Sequence, residues 1–308
     1  MPLHPEYEAL LGQMNEAEGP ALTEMNPSEG REMYRAMQPE TPDLAVDKVE
    51  ELRIPGPGGD IPIRIYSPEG QGPFPMTLMF HGGGWVIGDL STADLQSREV
   101  CKRAGSIVVS VDYRLSPEHK FPAAADDCYV ATQWVAQNAE KLNGDNNRLA
   151  VAGDSAGGNL AAVVSQMARD KSGPSIIFQL LVYPVTDGSS FETVSYHENA
   201  EGYMLTTESM HWFWDHYADT PDRLNPYASP LLADNLSELP PCLVMTAEFD
   251  PLRDEGEKYG KLLQDAGVST EIKRYDGFIH GFFAHTRLIP ATNRAMEDAC
   301  SALQKAFY

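Results

Sequence analysis

The sequence predicts an α/β fold in which helices cover both faces of a mostly parallel central sheet. From residue 76 onward, short apolar runs alternate with longer segments of helical composition. This alternation is typical of strand–helix–strand units, whose helices pack on both faces of a parallel sheet. A glycine-flanked serine, GDSAG at residues 153–157, stands between an apolar run and an Ala- and Val-rich segment. At 308 residues, the chain is long enough to bury a large core without disulfides or metals.

The charge balance is strongly acidic. Lys and Arg together number 23, and Asp and Glu number 45, which gives a formal net charge of −22. A surface of this sign repels nucleic acids and anionic membranes, so we expect neither as a partner. The sequence also has no apolar run of about 18 residues, the length that a membrane-spanning helix needs.

The four cysteines are far apart and have no metal-ligand spacing. They are Cys101, Cys128, Cys242 and Cys300. This usage predicts free thiols in a reducing compartment. The residues that follow Met1 lack the basic and apolar regions of a signal peptide, so the expected location is the cytoplasm.

Two helices are predicted before the first strand. The first covers residues 5–17, where apolar side chains recur at helical spacing. The second begins at Asn26, with Pro27 at the first helical position and Glu29 completing a capping box. This N-terminal region, residues 1–45, is either a packing addition or part of a lid.

A hairpin and a regular alternation follow. Residues 46–54 and 61–66 flank a turn rich in Gly and predict an antiparallel hairpin at one end of the sheet, with Pro62 favouring an edge. Ser91 and Asp94 are placed as the capping box of a helix. The later strands are predicted at residues 76–80, 107–111, 149–152, 176–183, 243–247 and 270–275. The later helices are predicted at residues 91–104, 123–142, 155–168, 255–266 and 291–307.

One long segment, between residues 183 and 243, contains no clear strand. An insertion after the carboxyl end of a strand lies over the ligand crevice of such a sheet, which predicts a helical cap. The aromatic cluster HWFW at residues 211–214 either lines an acyl pocket or forms the core of the cap itself. The predicted division of the chain is N-terminal helices that contribute to the cap (1–45), a catalytic domain (46–186 and 231–308) and the cap insertion (187–230).

The serine of the GDSAG motif is the candidate nucleophile. A serine at a strand-to-helix turn has a strained backbone, and its neighbours need very small side chains to let the two elements approach. The alternative is a turn in which small residues serve packing alone. A serine hydroxyl is a weak nucleophile that needs a base, and the base needs an orienting acid. The motif G-x-S-x-G resembles that of the α/β-hydrolases, in which both partners follow the serine along the chain, acid first.

The candidate acid is Asp250, just past the strand at residues 243–247 and before a helix. Glu248 and Asp254 are alternatives, and Asp250 is also well placed to cap the helix at Pro251.

The candidate base is His280, which follows the last strand and lies in a loop between glycines. His285 is its only rival among the histidines that follow Asp250.

The attacked carbonyl becomes an oxyanion that needs positioned hydrogen-bond donors. The strand at residues 76–80 runs into HGGGW at residues 81–85, and glycines let main-chain N–H groups approach a reacting oxygen. The expected donors are Gly82, Gly83 and Ala156. A phosphate-binding loop is the alternative, and it is disfavoured because no Lys-Ser/Thr pair follows the glycines.

The motifs together resemble those of the hormone-sensitive-lipase-like esterases, the bacterial family IV carboxylesterases. The likeness covers about residues 45–285 and includes the segment DYRLSPE at residues 112–118, which has Ser116 where the family commonly has Ala. The four motifs are HGGGW (81–85), GDSAGG (153–158), DPLRDE (250–255) and HGF (280–282). The resemblance implies an α/β-hydrolase fold, with Ser155 as nucleophile, Asp250 as orienting acid and His280 as general base, and it implies the same three oxyanion donors.

The activity that the resemblance implies is serine carboxylesterase, acting on short- to medium-chain acyl esters without a cofactor or metal. Candidate substrate-pocket residues are Trp85, Trp212, Phe213 and Phe282. An amidase or specialised deacylase would use the same site. A non-catalytic small-ligand receptor is a remote alternative, because receptors that resemble this family lack the histidine found here as His280. The resemblance also implies a possible homodimer, formed by pairing of the last strand across its edge, as in some relatives.

Overall fold

The computed structural model describes residues 2–16, 19–38 and 44–308. Within these residues, eight strands form one sheet. The strands are β1 (Lys48–Gly56), β2 (Gly59–Ser67), β3 (Phe74–Phe80), β4 (Ile107–Val111), β5 (Gly144–Asp154), β6 (Phe178–Val182), β7 (Cys242–Phe249) and β8 (Thr270–Ile279). Their order across the sheet is β1-β2-β4-β3-β5-β6-β7-β8.

The sheet is parallel except at one end, as predicted. β1 pairs with β2, and β2 with β4, in antiparallel register, while the other neighbouring strands pair in parallel. The expectation that Pro62 marks an edge is wrong, because β2 lies between β1 and β4. The β2–β4 pairing begins at Ile63, so the missing N–H of Pro62 costs no ladder bond there.

Helices pack on both faces of this sheet. They are α1 (Pro5–Glu16), α2 (Pro27–Ala36), α3 (Asp94–Ala104), α4 (Ala123–Gln137), α5 (Ala156–Asp170), α6 (Val194–Glu198), α7 (Thr207–Tyr217), α8 (Arg253–Asp265) and α9 (Asn293–Phe307). One apolar cluster joins α4, α5, α7 and α8 to one face of the strands, and another joins α1, α3 and α9 to the other face. Alternate residues of β3, β4, β5, β6 and β7 supply the two clusters, as strand geometry requires.

The N-terminal helices form where the sequence predicts them. The last residue of the first predicted helix, residue 17, lies outside the described residues, as do parts of the 1–45 region. The Asn26 side chain accepts hydrogen bonds from the main-chain N–H groups of Ser28 and Glu29, and the Glu29 carboxylate accepts one from the N–H of Asn26. The predicted capping box therefore starts α2.

The predicted capping box of Ser91 and Asp94 is absent. α3 begins at Asp94, three residues later than expected, and no side chain caps it. The preceding turn is held by Asp89, whose Oδ1 accepts from the N–H groups of Ser91 and Thr92 at 2.8 and 2.9 Å.

The helix predicted over residues 123–142 is shorter than expected. α4 ends at Gln137, and a separate 3-10 turn, Glu140–Leu142, follows it. The Asn138 side chain donates to the carbonyl oxygen of Trp134, which also accepts from the main-chain N–H of Asn138, so this residue closes the last turn of the helix.

The segment between β6 and β7 contains no strand within the described chain, and it carries α6 and α7. It packs against the loop that follows β7: Ser195 Oγ donates to the carbonyl oxygen of Pro251 at 2.6 Å, and Asn199 Nδ2 to that of Asp250 at 3.2 Å. The insertion therefore lies at the carboxyl ends of the parallel strands.

All four cysteines are free and buried, as their spacing predicts. None of the described helices combines the length and the apolar composition required to cross a membrane.

Candidate active site

Ser155 occupies the turn between β5 and α5. Its backbone has φ +56° and ψ −119°, a conformation that costs an L-residue energy and persists only where the surroundings enforce it. The flanking glycines allow this turn. A Cβ on Gly153 would lie 2.2 Å from the carbonyl oxygen of Gly157, and a Cβ on Gly157 would lie 1.9 Å from that of Phe80. Side chains at either position would push β3, β5 and α5 apart.

Three side chains from separate loops meet at this turn. His280 Nε2 lies 3.1 Å from Ser155 Oγ, and His280 Nδ1 lies 2.7 Å from Asp250 Oδ2. The second carboxylate oxygen, Asp250 Oδ1, accepts from the N–H of Leu252 at 2.9 Å. Asp250 is fully buried, and Ser155 and His280 are each 8% exposed. The carboxylate is thereby fixed against one ring nitrogen, and the other ring nitrogen faces the hydroxyl.

The rival acids point elsewhere. Glu248 accepts a hydrogen bond from the N–H of Gly277 at 2.7 Å. Asp254 accepts one from the N–H of Ser195 at 2.8 Å.

The rival histidine, His285, shares a hydrogen bond of 3.2 Å with the hydroxyl of Tyr7, in α1. Burial, together with the nearby imidazole of His280, lowers the pKa of His285 to about 4. The His285 ring is therefore neutral at physiological pH, and its partner lies on the N-terminal helix.

Tyr183 supports the histidine and was missed by sequence reasoning. Its ring centroid lies 4.5 Å from that of His280 and 4.9 Å from that of Phe282. Its backbone has φ +34°, which is unusual for a bulky residue. In the sequence, Tyr183 is only the last residue of an apolar run, and no local pattern predicts its contact with His280.

The glycine loop at residues 82–84 borders the same turn. The N–H of Gly82 donates to Asp154 Oδ1 at 3.0 Å, so it is already engaged, which corrects the expectation that Gly82 is a free donor. Among the described residues, no acceptor engages the N–H groups of Gly83 and Gly84. The N–H of Ala156, at the first position of α5, has no acceptor within its helix.

The four aromatic residues predicted to line a pocket separate into two groups. Trp85 and Phe282 have no exposed surface: Trp85 stacks on Tyr217 at 3.9 Å, and Phe282 packs among core aromatic rings. For these two the structure corrects the expectation, because a side chain that no water can touch lines no open pocket. Phe213 lies directly against Gly84 of the glycine loop, and the half-buried Trp212 packs edge-on against Phe213.

Among the described residues, no group of three or more His, Cys, Asp or Glu side chains is placed to hold a metal ion. The arrangement at Ser155 needs none, because a hydroxyl, an imidazole and a buried carboxylate in this order suffice for nucleophilic acyl transfer.

Comparison with known proteins identifies the family. A family model described as the alpha/beta hydrolase fold matches residues 77–284. The esterase LipI of Mycobacterium tuberculosis is 44% identical over 272 residues, which cover 87% of this chain and 84% of that protein. This chain belongs to the hormone-sensitive-lipase-like carboxylesterases. It is therefore a carboxylic ester hydrolase of the α/β-hydrolase superfamily, the reaction class that the four motifs predict.

Solved structures of esterases share the fold over its whole length. The hyperthermophilic esterase of Pyrobaculum calidifontis superposes with a TM-score of 0.92 at 43% identity, over 99% of both chains. A thermostable esterase of Pseudomonas putida superposes with a TM-score of 0.95 at 41% identity, over 100% of this chain and 98% of that one. These likenesses confirm the predicted fold class.

Proposed function

We propose that this carboxylesterase hydrolyses short- to medium-chain acyl esters through an acyl-enzyme formed on Ser155. The observation that carries the proposal is the hydrogen-bonded series from Asp250 through His280 to Ser155 Oγ. In it, Asp250 holds the imidazole in the tautomer with the proton on Nδ1, which leaves Nε2 free to accept a proton.

The reaction proceeds in two halves. As Ser155 Oγ attacks the ester carbonyl, its proton passes to His280 Nε2, and the resulting tetrahedral intermediate collapses when His280 returns that proton to the departing alcohol. Water then gives a proton to His280 and attacks the acyl-serine, and collapse of the second intermediate releases the acid and restores the hydroxyl.

The negative oxygen of each intermediate needs donors that are already in place. We assign this role to the N–H groups of Gly83, Gly84 and Ala156. Gly84 replaces Gly82, which the sequence predicts as the third donor. Support comes from the free N–H groups of the two later glycines and from the engagement of Gly82 by Asp154. The partially positive N-terminus of α5 adds to the field at Ala156.

The cap belongs to the same proposal. The segment 187–230 and the N-terminal helices together close the site, a division supported by the contact of α7 with the turn Leu22–Glu24 and of α6 with the loop after β7. A cover of this kind limits the acyl length that fits and suits small ester substrates.

A series of p-nitrophenyl esters from acetate to palmitate, with the matching anilides, tests the function. We expect kcat/KM to peak at short or medium acyl chains, anilides to react far more slowly, and a fluorophosphonate to label Ser155. Ser155→Ala should lower kcat at least about 10⁴-fold in a folded protein. Ser165→Ala, which removes a buried hydroxyl within α5, is the matched control. A Ser155→Ala variant that keeps most of its turnover would contradict the assignment of Ser155 as the nucleophile.

A further inference from the structure

Arg31, in α2, reaches from the N-terminal region to two loops of the catalytic domain. Its Nε donates to the carbonyl oxygen of Val86 at 2.8 Å, and its Nη2 to that of Ser116 at 2.9 Å. Nη1 and Nη2 also donate to the two carboxylate oxygens of Glu118, at 2.8 and 2.6 Å. One guanidinium therefore holds two main-chain carbonyls and a carboxylate.

The Val86 carbonyl belongs to the turn that starts at Gly83. The N–H groups of Val86 and Ile87 both donate to the carbonyl oxygen of Gly83, at 3.0 and 2.9 Å. The N–H of Ser116 donates to the carbonyl oxygen of Trp85 at 2.8 Å, which ties the same turn to the second loop. Arg31 thus closes a ring of hydrogen bonds around residues 83–87.

α2 also packs closely on this turn. A Cβ added to Gly30 would lie 2.9 Å from a side-chain carbon of Leu22 and 3.5 Å from one of Ile87. At Gly30 the helix therefore lies against Ile87 of the turn.

An ordinary surface ion pair does not account for this geometry. Such pairs contribute little to stability and engage only the carboxylate. The Arg31 side chain is only 18% exposed, and two of its acceptors are main-chain carbonyls rather than the acid. Glu118 orients the guanidinium, and the salt bridge with Arg31 lowers the pKa of Glu118 to about 2.

We propose that Arg31 is a positioning residue for the oxyanion hole. By holding the Val86 and Ser116 carbonyls, it sets the direction of the Gly83 turn and hence of the N–H groups that face the negative oxygen. The inference rests on the proposed function, because it assumes that Gly83 supplies such a donor. Donors of this kind act chiefly in the transition state, so the effect belongs in kcat rather than in KM.

The test uses Arg31→Ala and Arg31→Lys, with Arg35→Ala as the matched control. Arg35 lies one turn further along α2 and, within the part of the chain that the structure describes, pairs with the Asp89 carboxylate and with no main-chain carbonyl. For p-nitrophenyl butyrate we expect kcat to fall about 10- to 100-fold in both Arg31 variants, with KM close to wild type. Lys keeps the charge, but its single ammonium cannot span three acceptors on two loops. The Arg35→Ala variant should keep the wild-type kcat.

Chemical rescue separates positioning from general destabilisation. Guanidinium at tens of millimolar should restore part of the kcat of Arg31→Ala, whereas ammonium at the same concentration should not. A merely destabilised protein would gain no activity from guanidinium at this concentration, since that ion does not stabilise folded proteins.

The outcomes are distinct. If the wild type shows no Ser155-dependent turnover, the proposed function fails before Arg31 is examined. If the wild type turns over and Arg31→Lys keeps its kcat, the positioning role of Arg31 is wrong. A loss confined to KM, or a loss that ammonium repairs as well as guanidinium, also overturns it. Should Arg31→Ala fail to fold by circular dichroism, the Arg31→Lys variant decides the question.

Discussion

The Asp154 carboxylate and the Gly82 main chain are joined by a hydrogen bond of 3.0 Å, although 72 positions separate them in the sequence. Asp154 precedes the candidate nucleophile directly, and Gly82 precedes the first of the proposed oxyanion donors. A Cβ on Gly82 would lie 2.5 Å from Asp154 Oδ2, so the two segments are in tight contact. Burial raises the pKa of the Asp154 carboxyl. This bond fixes the spacing between nucleophile and oxyanion loop.

Replacement of Asp154 tests that link. Asp154→Ala removes the acceptor, and we expect kcat for p-nitrophenyl butyrate to fall by about tenfold or more, because a small displacement of the donors is costly. Asp154→Asn keeps a side-chain oxygen in place and should retain most of the activity. Equal losses in the two variants would mean that the charge matters rather than the hydrogen bond.

Substitution of Asp250 and of its neighbour Asp254 tests which carboxylate orients His280. In Asp250→Asn the side chain keeps its shape but no longer favours the correct imidazole tautomer, so kcat should drop about 10⁴-fold. Asp254→Asn, four residues on, is the control, and it should lose far less because its carboxylate faces Ser195 rather than His280. Steady-state kinetics at neutral pH measure both. A larger loss in Asp254→Asn would reverse the assignment.

Gly84 and Phe213 form a pair suited to a double-mutant cycle. A Cβ on Gly84 would lie 2.0 Å from the Phe213 ring, and the glycine has φ +56°. We expect Gly84→Ala to lower kcat about tenfold or more, because the loop must move away from the ring. In a Phe213→Ala background the clash disappears and only the backbone strain at φ +56° remains, so the same substitution should cost less. An equal cost in both backgrounds would show that Phe213 does not set the position of the loop.

His285 should make stability depend on pH. Its pKa is lowered from 6.5 to about 4, first by burial and then by the nearby His280. Between these two pH values the unfolded chain binds a proton that the folded chain does not, so stability is full above about pH 6.5 and falls as the pH is lowered towards about 4. His285→Gln should weaken this dependence while keeping a partner for Tyr7.

Thermal unfolding from about pH 7 to about pH 5 measures this effect. Over that interval, the melting temperature of the wild type should fall further than that of His285→Gln. His197→Gln, at an exposed histidine, should follow the wild type. If all three proteins lose the same amount, buried His285 is not the source of the pH dependence.

The sequence by itself determined the fold class, most strands and helices, and the residues that meet at Ser155. Each of these follows from a short-range signal: apolar periodicity, glycines around a strained turn, or polar residues just past a strand. The carboxyl ends of parallel strands meet at one edge, and the order serine, acid, histidine of the α/β-hydrolases placed Ser155, Asp250 and His280 there in the prediction. The structure then turned the rivals Glu248, Asp254 and His285 to other partners. The same reasoning misplaced the start of α3 and the end of α4. The Asp89 side chain binds the main-chain N–H groups of a turn before α3, and the Asn138 side chain binds a carbonyl in the last turn of α4.

Only the tertiary structure decided which polar groups are already engaged and which aromatic rings are core. The N–H of Gly82 is taken by a carboxylate from another strand, Arg31 binds a glutamate 87 positions away, and Trp85 is covered by α7. None of these partners is set by spacing along the chain, because each depends on how separate segments cross in space. Local sequence patterns indicate which interactions a residue is able to make, whereas tertiary packing decides which partner it contacts.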